Sequence, residues 1–161
     1  MHEKELSMLR LSKLTDYSTV ILSYMARHPQ DVYSVAETAA AVGVAPPTAS
    51  KILKALAKRD LVQSRRGSKG GYVLSRPPAE ISIAEIIDAM ESPFGLTECG
   101  AAAGLCGKED LCRIRGHWQH INHIVRGTLA QVKLSDMNLA QPPRFQEISR
   151  HENGKHGIQS R

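Results

Sequence analysis

The chain has 161 residues, enough for one domain or one domain with an extension. Its 21 lysines and arginines exceed the 16 acidic residues, and the net charge of +5 mildly favours an anionic partner. No apolar run reaches membrane-spanning length and MHEKELSMLR lacks a signal-peptide core, so the expectation is a cytoplasmic protein with no membrane contact. Only 4% of residues are aromatic, so a larger core draws on aliphatic side chains and on a partner subunit.

Residues 1–8 read as a disordered leader and residues 9–78 as a winged helix-turn-helix domain. In the first helix Thr15 or Asp16 is the expected cap, Val20, Ile21, Tyr24 and Met25 point inward, and His28-Pro29-Gln30-Asp31 ends it. Ser34 caps the second helix and Glu37 completes a capping box. Val35, Ala39 and Val42 form its apolar face, and Gly43 breaks it. A third helix follows Val44-Ala45-Pro46, with Pro47 in its first turn, where a missing N–H costs nothing. Ile52, Leu53, Leu56 and Ala57 share one face; Thr48, Ser50, Lys51, Lys54 and Lys58 lie largely elsewhere. Two helices around a short glycine-containing turn make a helix-turn-helix.

Leu61–Ser64, the tip RRGSKGG and Tyr72–Leu74 then read as a β-hairpin, the wing. Its glycines allow close approach to a phosphate, which Arg65, Arg66 and Lys69 would neutralise. The expected partner is a double-stranded DNA operator. Thr48, Ser50 and Lys51 are candidates for base edges in the major groove, and Arg65, Arg66 and Lys69 for phosphates or the minor groove. Lys54 and Gly70 complete the set. A helix-turn-helix that serves protein contacts, with a merely solvated hairpin, is the blander reading.

Residues 79–93 connect through a helix that Ser82 caps with Glu85 as capping-box partner. Ile83, Ile86, Ile87 and Met90 have helical spacing, and Ser92-Pro93 stops it. Residues 94–112 form a glycine- and alanine-rich loop holding Cys99, Cys106 and Cys112, all three cysteines of the chain. An odd number in a cytosolic chain argues against structural disulfides, and no Cys-x-x-Cys pair marks thiol catalysis. Zinc favours four ligands with a close pair, whereas three thiolates and one weaker ligand suit an iron–sulfur cluster. Buried or incidental thiols are the plain alternative.

Residues 113–140 read as a dimerisation helix. From Arg113 to Leu134, Ile114, Trp118, Ile121, Val125, Thr128 and Val132 recur at spacings of four and three, a coiled-coil-like seam. A homodimer would read two half-sites about 34–36 Å apart. The same helix packed on its own domain is the alternative. His117, His120 and His123 read as polar-face residues, with His117 near enough to Cys112 to serve as a ligand. Ser135–Leu139 looks like a final capped turn, and residues 141–161 read as a disordered tail.

The string LRLSKLTDY, the wing RRGSKGGYVLSRP, the segment EISIAEIIDAME and the three-cysteine loop together resemble the IscR/NsrR-type (Rrf-two) family of iron–sulfur winged-helix regulators, over roughly residues 8–140. LTEC, then Gly-Leu-Cys, then a third cysteine is most similar to its branch of SUF-operon regulators. The resemblance implies a mainly α fold with a small β wing, a homodimer and a two-iron or four-iron cluster on Cys99, Cys106 and Cys112. It implies Asp16 of the partner subunit as fourth ligand, the position used by nitric-oxide-sensing members. Asp16 reads equally well as a plain helix cap. The two-iron members use a histidine three residues after the last cysteine; here Arg115 stands there, which leaves His117 as second choice. The first two cysteines are also one residue further apart than in the best-known members.

The function this implies is a transcriptional repressor, not an enzyme, that senses iron, oxidative or nitrosative state and controls iron–sulfur assembly genes. A cluster-free or zinc-bound, thiol-redox-sensing DNA-binding dimer is the second reading. A redox enzyme finds no support, since no general base, phosphate loop or second cofactor motif accompanies the cysteines.

Overall fold

The structure, a computed structural model, describes residues 11–91 and 95–138. The leader over residues 1–8, the Ser92-Pro93 stop and the tail over residues 141–161 lie outside the described residues. The winged domain comprises α1 (Lys13–Met25), α2 (Val35–Val42), α3 (Pro46–Lys58), β1 (Val62–Arg65) and β2 (Gly71–Leu74). A 3-10 turn (Pro78–Glu80) leads to α4 (Ile83–Met90), then α5 (Glu98–Ala101), a second 3-10 turn (Glu109–Leu111), α6 (Arg115–Gln131) and a third 3-10 turn (Leu134–Asn138). The class is mainly α with a two-stranded wing, as the residue pattern suggests.

Local chemistry explains most boundaries. Ser34 and Ser82 each accept from the backbone N–H three residues on, while Glu37 and Glu85 reach back to the cap N–H: two complete capping boxes. Gly43 closes α2 at φ 72°, where a side chain would be strained. The first helix departs from expectation. Ser12 is its cap, accepting from the Thr15 N–H, and Thr15 is buried in the first turn. With that start the inward stripe is Ser18, Ile21, Leu22 and Met25, at helical spacing, and Val20 turns outward at 45% exposure.

The hairpin pairs Val62 with Leu74, Gln63 with Val73, Ser64 with Tyr72 and Arg65 with Gly71. A third backbone segment joins it. Tyr33 and Tyr72 exchange two 2.8 Å hydrogen bonds, ahead of α2. This explains Gly71: a Cβ there would lie 2.2 Å from the Tyr33 carbonyl oxygen. Tyr33 is itself fixed by an edge-to-face contact with Tyr24 at 5.2 Å and by its hydroxyl, which donates to the His28 carbonyl.

Two further corrections concern the C-terminal half. The cysteine segment is not all loop: Thr97 caps α5, accepting from the Gly100 N–H. The long helix starts two residues later than expected and stops at Gln131 instead of Leu134. Val132 adopts an extended conformation, and the backbone then pairs with the entry to α4. Ile83 N–H donates to the Val132 carbonyl (2.9 Å) and Leu134 N–H to the Ile81 carbonyl (2.8 Å). This bridge drops Leu134, fully buried, into the same core as Ile21, Leu53, Leu56 and Ile86. Burying such a side chain is worth about 1.5–3 kcal/mol, more than the last helical turn that is given up.

Leu134→Ala is therefore expected to cost about 2–5 kcal/mol in chemical denaturation, whereas Val32→Ala, at a 40% exposed site, costs under about 0.5 kcal/mol. Equal losses would show that the third 3-10 turn is not part of the core.

Candidate nucleic-acid interface and thiol site

The buried side of α3 is Ala49, Ile52, Leu53 and Leu56. Packing of that side against α2 and α4 turns the opposite side to solvent, where Pro47, Lys51, Lys54 and Lys58 are exposed. Ser50 lies half-buried at the edge of this stripe, and Thr48 is half-buried further round. Beside α3 the wing presents Arg65, Arg66 and Lys69, all exposed. Its tip is a tight turn: Gly67 has φ 123° and the Gly70 N–H donates to the Gly67 carbonyl at 3.0 Å. A Cβ at Gly70 would come within 2.7 Å of the Arg65 carbonyl oxygen. Gly70 thus shapes the turn that holds the cations. At the base of the wing Arg76 pairs with Glu85 at 2.8 Å and donates to the Glu80 carbonyl, joining the wing to α4.

The three cysteines are free thiols, each half-buried. Cys99 lies in α5, with its sulfur 3.3 Å from the Thr97 hydroxyl; Cys106 lies in the following loop and Cys112 just after the second 3-10 turn. This segment is held on α6 by Asn122, the one buried residue of that helix. Its Oδ1 accepts from the Leu96 N–H at 3.2 Å and its Nδ2 donates to the Gly100 carbonyl at 2.9 Å. Gln119, one turn earlier, donates to the Cys99 carbonyl. The donor set, three unpaired thiols on one short segment, fits an iron–sulfur group chemically. The sulfurs do not converge within one chain: among the described residues no three Cys, His, Asp or Glu side chains gather as a metal site requires. His117 is exposed on the first turn of α6, in a shallow groove with Arg113 and His120.

Asp16 is exposed in the first turn of α1 and faces an open groove of about 620 Å³ lined also by Leu11, Ile83, Leu129, Val132 and Met137. That turn is tied to the far end of α4. Glu91 accepts at one carboxylate oxygen from the Ser12 N–H (2.7 Å) and from the Thr15 hydroxyl (2.5 Å). Burial alone would raise the Glu91 pKa, but these hydrogen bonds outweigh it and hold the carboxyl below its ordinary value. Glu91 also stands where the chain leaves α4 for the cysteine segment.

The residues that join the parts, Asn122 and Glu91, carried no signal in the sequence. Asn122 looks like a polar interruption between seam positions, and Glu91 like a helix-end carboxylate; what each meets lies 22 to 79 residues away.

A helix-turn-helix followed by a basic hairpin, with further helices packed behind it, is the winged architecture of DNA-binding transcription regulators. The chain belongs to the family described as Rrf2, iron-dependent transcriptional regulator, which matches residues 11–139. It is 30% identical over 135 residues to Protein aau3 of Rhizobium meliloti, covering 83% of this chain and 88% of the relative. It is 28% identical over 131 residues to the HTH-type transcriptional regulator NsrR of Halalkalibacterium halodurans, covering 80% and 90%. Its fold is similar to CymR, the global cysteine regulator of B. subtilis, with a TM-score of 0.61 and 25% identity over 81% of this chain and 97% of that one. Among the described residues no helix is long and apolar enough to cross a membrane.

The Glu91 tie gives a pH dependence of defined sign. A lowered folded pKa stabilises the protein above the ordinary carboxylate value near 4.5 and ceases to do so as pH falls through the folded value. Glu91→Ala should cost about 1 kcal/mol at neutral pH in urea unfolding, a figure discounted for solvent exposure, and the gap to wild type should narrow as the pH falls below the ordinary value of 4.5 and through the lowered folded one. A gap that does not change with pH would refute the ionised tie.

Proposed function

We propose that this chain is a homodimeric repressor whose hold on a double-stranded DNA operator is set by an iron–sulfur cluster on Cys99, Cys106 and Cys112, and that its targets are iron–sulfur assembly genes. The observation that carries the reading is the seat of the thiols. Three free cysteines lie on a segment that Asn122 binds to α6, and the same helix, with Ile114 at its N-cap, exposes Trp118, Ile121 and Ile124. A second copy of α6 would cover that apolar side, which one chain leaves to water. The resemblance adds Asp16 of the partner subunit as fourth ligand, ahead of His117. Bound there, the cluster supplies chemistry responsive to oxidant, nitric oxide and iron supply.

The rest is done by side chains of this protein. Asn122 and Gln119 transmit the position of the thiol segment to α6. Arg126, paired with Asp88 through its two terminal nitrogens and both carboxylate oxygens, and the Ser82–Lys133 bridge transmit the position of α6 to α4. The Arg76–Glu85 pair and the Glu91 tie carry it on to the wing and to α1. A coupling of about 1–3 kcal/mol along this route would change operator affinity by five- to hundredfold. Ser50, Lys51 and Thr48 would contact base edges, and Lys54, Arg65, Arg66 and Lys69 phosphates, with Gly70 shaping the tip.

A cluster-free, thiol-redox dimer is the second reading, favoured by the separate positions of the three sulfurs and by the likeness to CymR.

Anaerobic purification separates the two. Under the first reading the wild type is brown, contains iron and sulfide, and loses its visible absorption in Cys106→Ala. A colourless protein without iron after anaerobic reconstitution supports the second.

Lys69→Ala should weaken binding to every duplex and reduce the slope of log affinity against log salt by about one. An unchanged slope would remove the wing tip from the DNA contact.

A further inference from the structure

The exposed stripe of α3 contains one residue that is not a cation. At about 100° per residue, Pro47, Lys51, Lys54 and Lys58 fall within about 60° of one another, with Pro47 at the leading end. Thr48 lies about 100° round from Pro47 and is half-buried. The part of the stripe that leads the helix is thus a pyrrolidine ring. Neither Pro46 nor Pro47 has an N–H, and the Ala45 cap makes no side-chain hydrogen bond. The exposed start of this helix therefore offers ring carbon where recognition helices commonly offer donors.

In the major groove only one base presents an apolar group, the C5-methyl of thymine. Further along the same stripe Lys54 and Lys58, and on the wing Arg65, Arg66 and Lys69, complement the phosphates on either side. We infer that Pro47 reads a thymine in each operator half-site, its ring packed on the C5-methyl. The inference rests on the DNA-binding reading and adds a base identity to it. A proline ring is already ordered, so little side-chain entropy opposes the contact. The ring would also exclude a cytosine at that step, since its exocyclic amine would lose a hydrogen-bond partner.

The test uses the full-length protein and duplexes selected from a random-sequence pool. Each thymine of a selected duplex is replaced in turn by deoxyuridine, which removes only the methyl group. One position per half-site should weaken the wild type by about fourfold, the worth of one buried methyl group. Pro47→Ser should bind with the same salt dependence and show no deoxyuridine penalty. Lys54→Ala should bind every duplex more weakly and keep the penalty. A wild type indifferent to deoxyuridine at every position overturns the inference, whether or not the variant folds. So does a penalty that persists in Pro47→Ser. A wild type that retains no duplex in competition with heparin overturns the DNA-binding reading itself.

Discussion

The backbone bridge between Ser82 and Lys133 is the constraint on which the arrangement of this protein depends. It stops α6 at Gln131, turns the chain into an extended conformation and buries Leu134 beside helices that belong to the winged domain. Without it α6 would be joined to the domain only by its side-chain contacts with α4, such as Arg126–Asp88, and by the glycine-rich segment. With it, one end of the helix is part of the core and its direction is set. The bridge pairs backbone groups that a helix end would otherwise leave unsatisfied, and the leucine supplies the apolar gain that makes the early stop favourable.

Towards its opposite end α6 is tied to the cysteine segment by polar contacts. Asn122 satisfies a carbonyl and an N–H of the cysteine segment, and Gln119 reaches a second carbonyl. Such contacts add little net energy when made but cost about 1–3 kcal/mol when a buried group is left without a partner. The two ends therefore differ in character. The C-terminal end is anchored in the core through Leu134, and the thiol segment is joined to α6 by a few directional bonds. The Arg126–Asp88 pair between them keeps α6 and α4 in step.

Glu91 makes a second such tie, at the start of α1. One carboxylate meets the cap and the buried hydroxyl of α1 and stands at the exit towards the cysteines. The first turn of α1, which carries Asp16, is thereby fixed from α4 and not by its own cap alone. The groove beside Asp16 sets the polar first turns of α1 against apolar side chains, Leu11, Ile83, Leu129, Val132 and Met137, and it lies open in a single chain.

Much of the winged domain was legible from local chemistry. The capping boxes at Ser34 and Ser82, the break at Gly43 and the basic glycine tip of the wing each depend on residues within a few positions of one another, so spacing alone reveals them. The resemblance to the regulator family rests on such local strings, and the family match bears it out. What sequence could not decide was the phase of α1, the end of α6 and the seat of the cysteines. Thr15 or Asp16 was the expected cap, but Ser12 takes that place, and the Glu91 carboxylate, 76 to 79 residues away, binds Ser12 and Thr15 in that phase. The apolar period of α6 runs through Val132, but pairing with Ile81 and Ile83 outweighs one more helical turn. Local propensity differs between such alternatives by tenths of a kcal/mol, whereas burying a leucine or satisfying a buried amide is worth one or more, so the tertiary contacts prevail.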